Sequence, residues 1–154
     1  MLAIVNDEKR VETAIVNTVV NSEKSIFESS SSFRRLQYAV ARIFRFVSYH
    51  RSKGNSNSAQ PSEPTETPSE KELKQPFFVL VKYGQKLSFP EEIQRLNSNL
   101  SINRRSRLWY LDSMVDEKGV MRVAGRLDRA PISPEKRHPI IIDSKSRFIL
   151  LYAR

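Results

Sequence analysis

The run SRLWYLDSMVDEKGVMRVAGRLDRAPISPEKRHPIIID, Ser106 to Asp143, departs in pattern from everything before it. Two apolar runs, RLWYLDSMV and VMRVAGRL, flank Asp116-Glu117-Lys118-Gly119, and Asp-x-x-Gly between apolar runs is a hairpin signal because glycine accepts the positive φ of a bulged loop. In the second run Met121, Val123 and Leu127 share one face and Arg122 and Arg126 the other, the period-2 pattern of a half-buried strand. Gly125 on the apolar face allows a bulge. A third strand is expected over PIIID, 139–143, and Asp143 and Ser144 then offer caps for a last helix, SKSRFILLYAR.

Upstream the elements read as helices. Pro76 suits the first turn of a helix through FFVLVKYGQKL, although Gly84 and Val79–Val81 leave a strand possible. Pro90-Glu91-Glu92 starts another, with carboxylates at the positive end of the helix dipole, so short helices are expected over 71–103. Further back, FRRLQYAVARIFRFVSYH places Phe33, Leu36, Val40, Ile43, Phe44 and Val47 at helical spacing. That predicts a basic amphipathic helix over 33–51, with Ser29–Ser32 as N-cap donors of oxygen and Gly54 past its end. Arg34, Arg35, Arg42 and Arg45 fall mostly off the stripe, so the helix either packs its stripe on a neighbouring domain or lies on a phosphate backbone or an anionic membrane.

Between the helical parts, residues 52–70 are rich in Ser, Pro and Glu and hold almost nothing apolar to offset the entropy of ordering. A disordered linker is expected there, or a phosphorylatable regulatory segment. Residues 1–32, with the β-branched patch Ala14–Val20, read as the tail of an upstream domain, since one strand without partners is not stable. The fold class expected is therefore α+β: a small antiparallel sheet from about 107 to 143 flanked by short helices, plus a separate amphipathic helix and a disordered linker.

Composition removes most chemistry. The 154 residues contain no cysteine and only two histidines, His50 and His138, on opposite sides of the linker. Thiol nucleophiles, disulfides, Cys-type zinc sites and iron–sulfur clusters are excluded, and a two-histidine metal site or a histidine triad lacks its parts. The four glycines are scattered, so no phosphate-binding loop is present. Asp112, Asp116 and Asp128 read as turn residues, and His138 as a packing or hydrogen-bonding residue. No catalytic residue, metal ligand or cofactor is expected, and a small hydrolase or metal enzyme finds no nucleophile or ligand set here. Apolar residues make up 39%, a modest core, and no apolar run reaches the roughly 18 residues of a membrane span. Asp7 and Glu8 interrupt any signal peptide, so an intracellular chain, cytoplasmic or nuclear, is expected.

The net charge of +9 is unevenly placed. Residues 33–54 carry six basic side chains and no acidic one, and residues 104–154 carry twelve against six. Arg104, Arg105, Arg107, Arg122, Arg126 and Arg129 are the candidates for contact with a nucleic-acid backbone. No base-reading motif accompanies them, so binding is expected to tolerate any sequence.

Ser106–Asp143 also resembles a block of the Pol polyproteins of BEL/Pao-type LTR retrotransposons, just ahead of the integrase zinc-binding domain. The family pattern is a Leu-rich strand, an Asp-x-x-Gly turn, an Arg-Val-Gly-Gly-Arg-Leu strand and a basic His-Pro-aliphatic strand. Gly119, Arg122, Val123, Gly125, Arg126, Leu127, His138, Pro139, Ile140 and Ile141 match it, with Ala124 in place of the usual glycine. SSFRRLQYAVARIFRFV is similar to the family's serine-led helix after ribonuclease H, and FPEEIQRL to its FP-E-I-L helix; Pro76 and the long spacer depart from it. The resemblance implies a connector and integrase N-terminal extension, 104–154, cut off before the metal. The His-x-His start, paired cysteines and Asp, Asp, Glu core that follow in the family are not in this chain. Its implied partners are nucleic acid, bound non-specifically, and the remainder of the polyprotein, with no small-molecule substrate and no membrane. The competing expectation is a domesticated, transposon-derived interaction protein whose basic helix binds a partner or an anionic membrane.

Overall fold

In the computed structural model, which describes Arg10 and residues 25–52, 67–125, 131 and 133–153, the chain divides into two units. One comprises residues up to Leu80 together with those from Leu150, and the other Val81–Ile149. The fold is α+β: a two-stranded antiparallel sheet accompanied by helices. Most of the tail expected over 1–32 and most of the linker expected over 52–70 lie outside the described residues.

In the first unit a single turn, α1 (Ile26–Ser29), is capped by Ser25, whose hydroxyl oxygen accepts from the Phe27 amide at 3.3 Å. Helix α2 (Phe33–Ser52) follows, with its first backbone bond from Leu36 N–H to the Ser32 carbonyl. Of the serines expected to cap it, Ser32 supplies that first carbonyl, while Ser29 and Ser30 donate their hydroxyls to the carbonyls of Ile26 and Ser32. Carbonyls two and three residues away outcompete the amides of α2 for these short side chains.

Helix α3 (Glu70–Ser88) begins six residues ahead of the proline expected to start it. The reason is a half capping box: Glu72 reaches back so that one carboxylate oxygen accepts from the Ser69 amide at 2.8 Å and from its hydroxyl at 2.7 Å. Glu70 and Glu72 both sit in the first turn, favourable to the helix dipole, so Pro76 is carried as an interior residue. The strand alternative over Val79–Val81 is overturned with it. One long helix therefore replaces the first of the short ones.

In the second unit, α4 (Pro90–Asn97) starts on Pro90 with Glu91 and Glu92 in its first turn. It closes in a Schellman motif: Leu100 N–H donates to the Arg95 carbonyl and Asn99 N–H to that of Leu96, with Asn99 at φ 54. Strands β1 (Ser113–Val115) and β2 (Met121–Val123) pair with Met114 opposite Arg122. Between them the Gly119 amide donates to the Asp116 carbonyl, and Gly119 takes φ 75, the left-handed residue that a bulged hairpin loop needs.

The sheet is shorter than expected at every end. Residues 107–111 are turns and a bend rather than the start of a strand, because Asn103 and Ser106 accept amides of Arg105 and Leu108 on their side chains. The strand expected over 139–143 is reduced to one antiparallel bridge, Arg122 to Ile140, closed by Val123 N–H to the Pro139 carbonyl and Ile141 N–H to that of Met121. Pro139 contributes only its carbonyl, so its missing N–H costs nothing here. One-turn α5 (Pro134–Arg137) precedes the bridge, and α6 (Arg147–Tyr152) follows it. Phe89, Ile102, Leu108, Met121 and Ile141 form the core of this unit, with Ile93, Leu96 and Val123 around them.

Candidate nucleic-acid interface

The described candidate arginines of the second unit separate into a displayed set and a buried one. Loop 103–111 is the displayed set. Three backbone bonds coil it, from Ser106 N–H to the Asn103 carbonyl, from Trp109 to Ser106 and from Leu111 to Leu108. Ser106 donates its hydroxyl to a Glu92 carboxylate oxygen at 2.6 Å, which ties the loop to α4. Leu108 drops into the core while Arg104, Arg105, Arg107, Trp109, Tyr110 and Leu111 remain exposed.

Within that loop the arginines differ. The Arg104 guanidinium lies 5.6 Å from the centre of the Trp109 ring, and Arg105 is exposed. Arg107 sits over the Phe89 ring and faces Asp143 with two bonds of 3.2 and 3.3 Å, yet 61% of its side chain is open to water. That guanidinium, then the Lys145 amide, hold the Asp143 carboxyl below its usual range. A long, exposed ion pair of this kind is weak and yields its cation readily to a stronger anion. Asp143 is not the direct cap expected for α6; its carboxylate and carbonyl order the turn 143–146 that leads into the helix.

Arg122 belongs to the interior. Only 9% of its side chain is exposed; its Nε donates to Asp116 Oδ2 at 2.6 Å and another guanidinium nitrogen to the His138 carbonyl at 2.8 Å. The sequence placed it on the solvent face with Arg126 and among the backbone-contact residues, and the bridge to Ile140 is what covers it. Asp116 matches its expected turn role: Oδ1 accepts from the Lys118 and Val120 amides while Oδ2 takes Arg122. Asp112 contributes its carbonyl, which accepts from the Ala124 amide. Arg126, Leu127, Asp128 and Arg129 lie outside the described residues, and Gly125 has open space where a Cβ would stand.

The two histidines are occupied locally. His138 places Nδ1 3.2 Å from the Val123 carbonyl, and His50 packs its ring on Phe46 with centroids 4.3 Å apart. Among the described residues no three His, Asp or Glu side chains come together as a metal set.

Sequence reasoning missed one residue on which this unit depends. Gln85 of α3 is buried and bonds to three backbone groups: it accepts from Met121 N–H and donates to the carbonyls of Met121 and Ile141. Its signal was a polar residue on the helical stripe Phe78, Val81, Gln85, Phe89, where an apolar one is due. The display of Trp109 and Tyr110 was also missed. Three large apolar residues in succession, Trp109 to Leu111, cannot all face the core of a half-buried strand.

Comparison of the chain with protein-family models, with curated proteins and with solved structures gives no match.

Proposed function

We propose that this chain is a non-catalytic segment of a BEL/Pao-type Pol polyprotein, a connector and N-terminal extension of the integrase that inserts element DNA, and that it contacts nucleic-acid backbone. The observation that carries the nucleic-acid part is loop 103–111, which exposes Arg104, Arg105 and Arg107 in a stretch, residues 97–111, that contains no acidic residue. Guanidinium groups so placed neutralise phosphates and release counterions, which favours binding without sequence preference. The residues carrying the resemblance also support the reading, because they hold one another together. Gly119 shapes the turn, Arg122 pairs beneath it, and Val123, His138, Pro139, Ile140 and Ile141 form the bridge.

The competing use of the basic helix is less well supported. Most of its stripe is covered: Phe33 and Val40 are buried, Leu36, Phe44 and Val47 are half-buried, Gln37 donates to the Leu73 carbonyl, and Arg45 is paired with Glu72. Ile43 and Phe46 remain exposed, too few for an apolar face that would bury itself in lipid. Among the described residues no helix is long and apolar enough to cross a membrane.

The test is duplex DNA binding by the full chain across a salt series. Two or three phosphate contacts give a log–log slope of about −2 to −3. Arg104→Ala with Arg105→Ala should flatten it by about 2. Absent or salt-insensitive binding overturns the nucleic-acid role. The polyprotein origin is tested separately in the transcript and flanking DNA: a downstream His pair, paired cysteines and an Asp, Asp, Glu core support it, and a verified stop in a spliced host message favours the domesticated protein.

A further inference from the structure

We infer that loop 103–111 takes single-stranded nucleic acid, stacking its bases on Tyr110 and Trp109; this rests on the backbone-contact reading above and names the form of nucleic acid that the loop fits. Tyr110 is 93% exposed and Trp109 38%, while Leu108 beside them is anchored in the core. Two exposed rings directly after three exposed arginines are more than a backbone footprint needs. Phosphate contact alone needs only cations, and exposed rings lose free energy in water until something covers them.

The chemistry that covers them is set by their neighbours. Arg104 already holds its guanidinium over the Trp109 ring, and Arg105 and Arg107 supply two further cations. An occupant that satisfies both must therefore carry negative charges and flat π faces on the same chain. A single strand does both, whereas a duplex keeps its base faces stacked inside and presents phosphate alone. Stacking on aromatic rings tolerates any base, in keeping with the absence of a base-reading motif. The loop is also ready to bind: its three coiling bonds, the Ser106–Glu92 tie and the Leu108 anchor fix its base, so little ordering entropy opposes binding.

Trp109 is the only tryptophan, so its fluorescence reports on this loop and nowhere else. The full chain is titrated with an oligo(dT) of about 12 nucleotides and with an abasic oligonucleotide of the same length and charge, following anisotropy of the labelled strand and quenching of the tryptophan. The expected result is quenching by oligo(dT) only, with affinity about tenfold above that for the abasic strand. Tyr110→Ala should lose most of that tenfold and leave abasic binding unchanged; at 93% exposure the substitution removes no packing. Equal binding of both strands without quenching overturns the stacking and leaves the backbone reading standing. No binding of either overturns both. A wild-type dimer in sedimentation that becomes monomeric in Tyr110→Ala assigns the rings to a second copy and overturns the proposal.

Discussion

The Gln85 side chain completes both backbone hydrogen-bonding groups of Met121, accepting its amide hydrogen on Oε1 at 2.9 Å and donating from Nε2 to its carbonyl at 2.7 Å. The same nitrogen donates to the Ile141 carbonyl at 2.8 Å, so one helical side chain holds the hairpin and the bridge segment in register. A two-stranded hairpin is marginal alone in water, and this clamp stands where further strands would otherwise be needed. Gln85→Leu keeps the volume and strands the Met121 amide and the Ile141 carbonyl, while the Met121 carbonyl keeps the Ile141 amide. A loss of about 3 kcal/mol is expected, read from urea unfolding of the full chain by circular dichroism. A loss under about 0.5 kcal/mol would mean that water or a neighbouring carbonyl replaces the clamp.

Asp116 and Arg122 form the second brace of the hairpin, and they are not equal partners. Asp116 accepts from two amides as well as from the guanidinium, so Asp116→Ala opens the turn and leaves a buried cation. About 4 kcal/mol is expected for it. Arg122→Met keeps the apolar stem, leaves Asp116 its two amide donors, and should cost about 2 kcal/mol. Because Arg122 is interior, Arg122→Met should leave the slope of log affinity against log salt unchanged, unlike the paired substitution at Arg104 and Arg105. A slope flattened by about 1 in Arg122→Met would return that guanidinium to the surface.

What could be read from sequence was what local chemistry enforces. Asp116 and Gly119 define their turn whatever surrounds them, and Pro90-Glu91-Glu92 starts a helix by itself. Ser69 and Glu72 carried the same kind of signal, three residues apart, and it outranks the Pro76 signal because a cap places the first turn while an interior proline removes one bond. Long-range partners were another matter. Nothing within three residues of Arg122 announces that Ile140 will cover it, and nothing near Gln85 announces Met121, 36 residues on. Alternation in the second strand correctly put Arg122 opposite the Met121 face. It could not show that the opposite face is covered too. The strand expected to include Trp109–Leu111 is absent for a related reason: an apolar run reads the same whether or not a partner covers it, and the structure buries Leu108 and displays the rest.

Glu72 makes acid stability a test of the first unit. Arg45, then the Ser69 amide and hydroxyl, lower its pKa from 4.5 to about 2. A carboxylate lower in the folded chain than in the unfolded one stabilises above its unfolded value, and the gain is lost as pH falls from about 4.5 through 2. Since the carboxylate is more than a third exposed, solvent screening limits its contribution to about 1 kcal/mol. Glu72→Gln should lower stability by that amount at neutral pH and remove this part of the acid dependence. Urea midpoints of both chains at a series of pH values check it; curves that stay parallel from pH 7 down to 2 would show that Arg45 does not depend on this partner.

Two glycines should respond to alanine for opposite reasons. At Gly119 a Cβ would meet only Lys82 Cδ, at 3.6 Å, so space is not at issue; φ 75 is, and Gly119→Ala should cost about 1 kcal/mol while Gly119→Asn costs less. At Gly84, inside α3, alanine gains about 1 kcal/mol of helix propensity, but its Cβ would stand 3.3 Å from Phe148 Cγ. Phe148 is 2% exposed and has little freedom to withdraw, so overpacking of about 2 kcal/mol should win and leave Gly84→Ala destabilised by about 1. The diagnostic is the cycle with Phe148→Ala, which removes Cγ and Cδ2, two of the three atoms nearest the added Cβ: relief of the contact makes the double substitution less costly than the two singles together, whereas the Gly119 effect adds to either without coupling. A Gly84→Ala chain more stable than the parent, with no coupling to position 148, would show that α3 carries its glycine for some reason other than the ring.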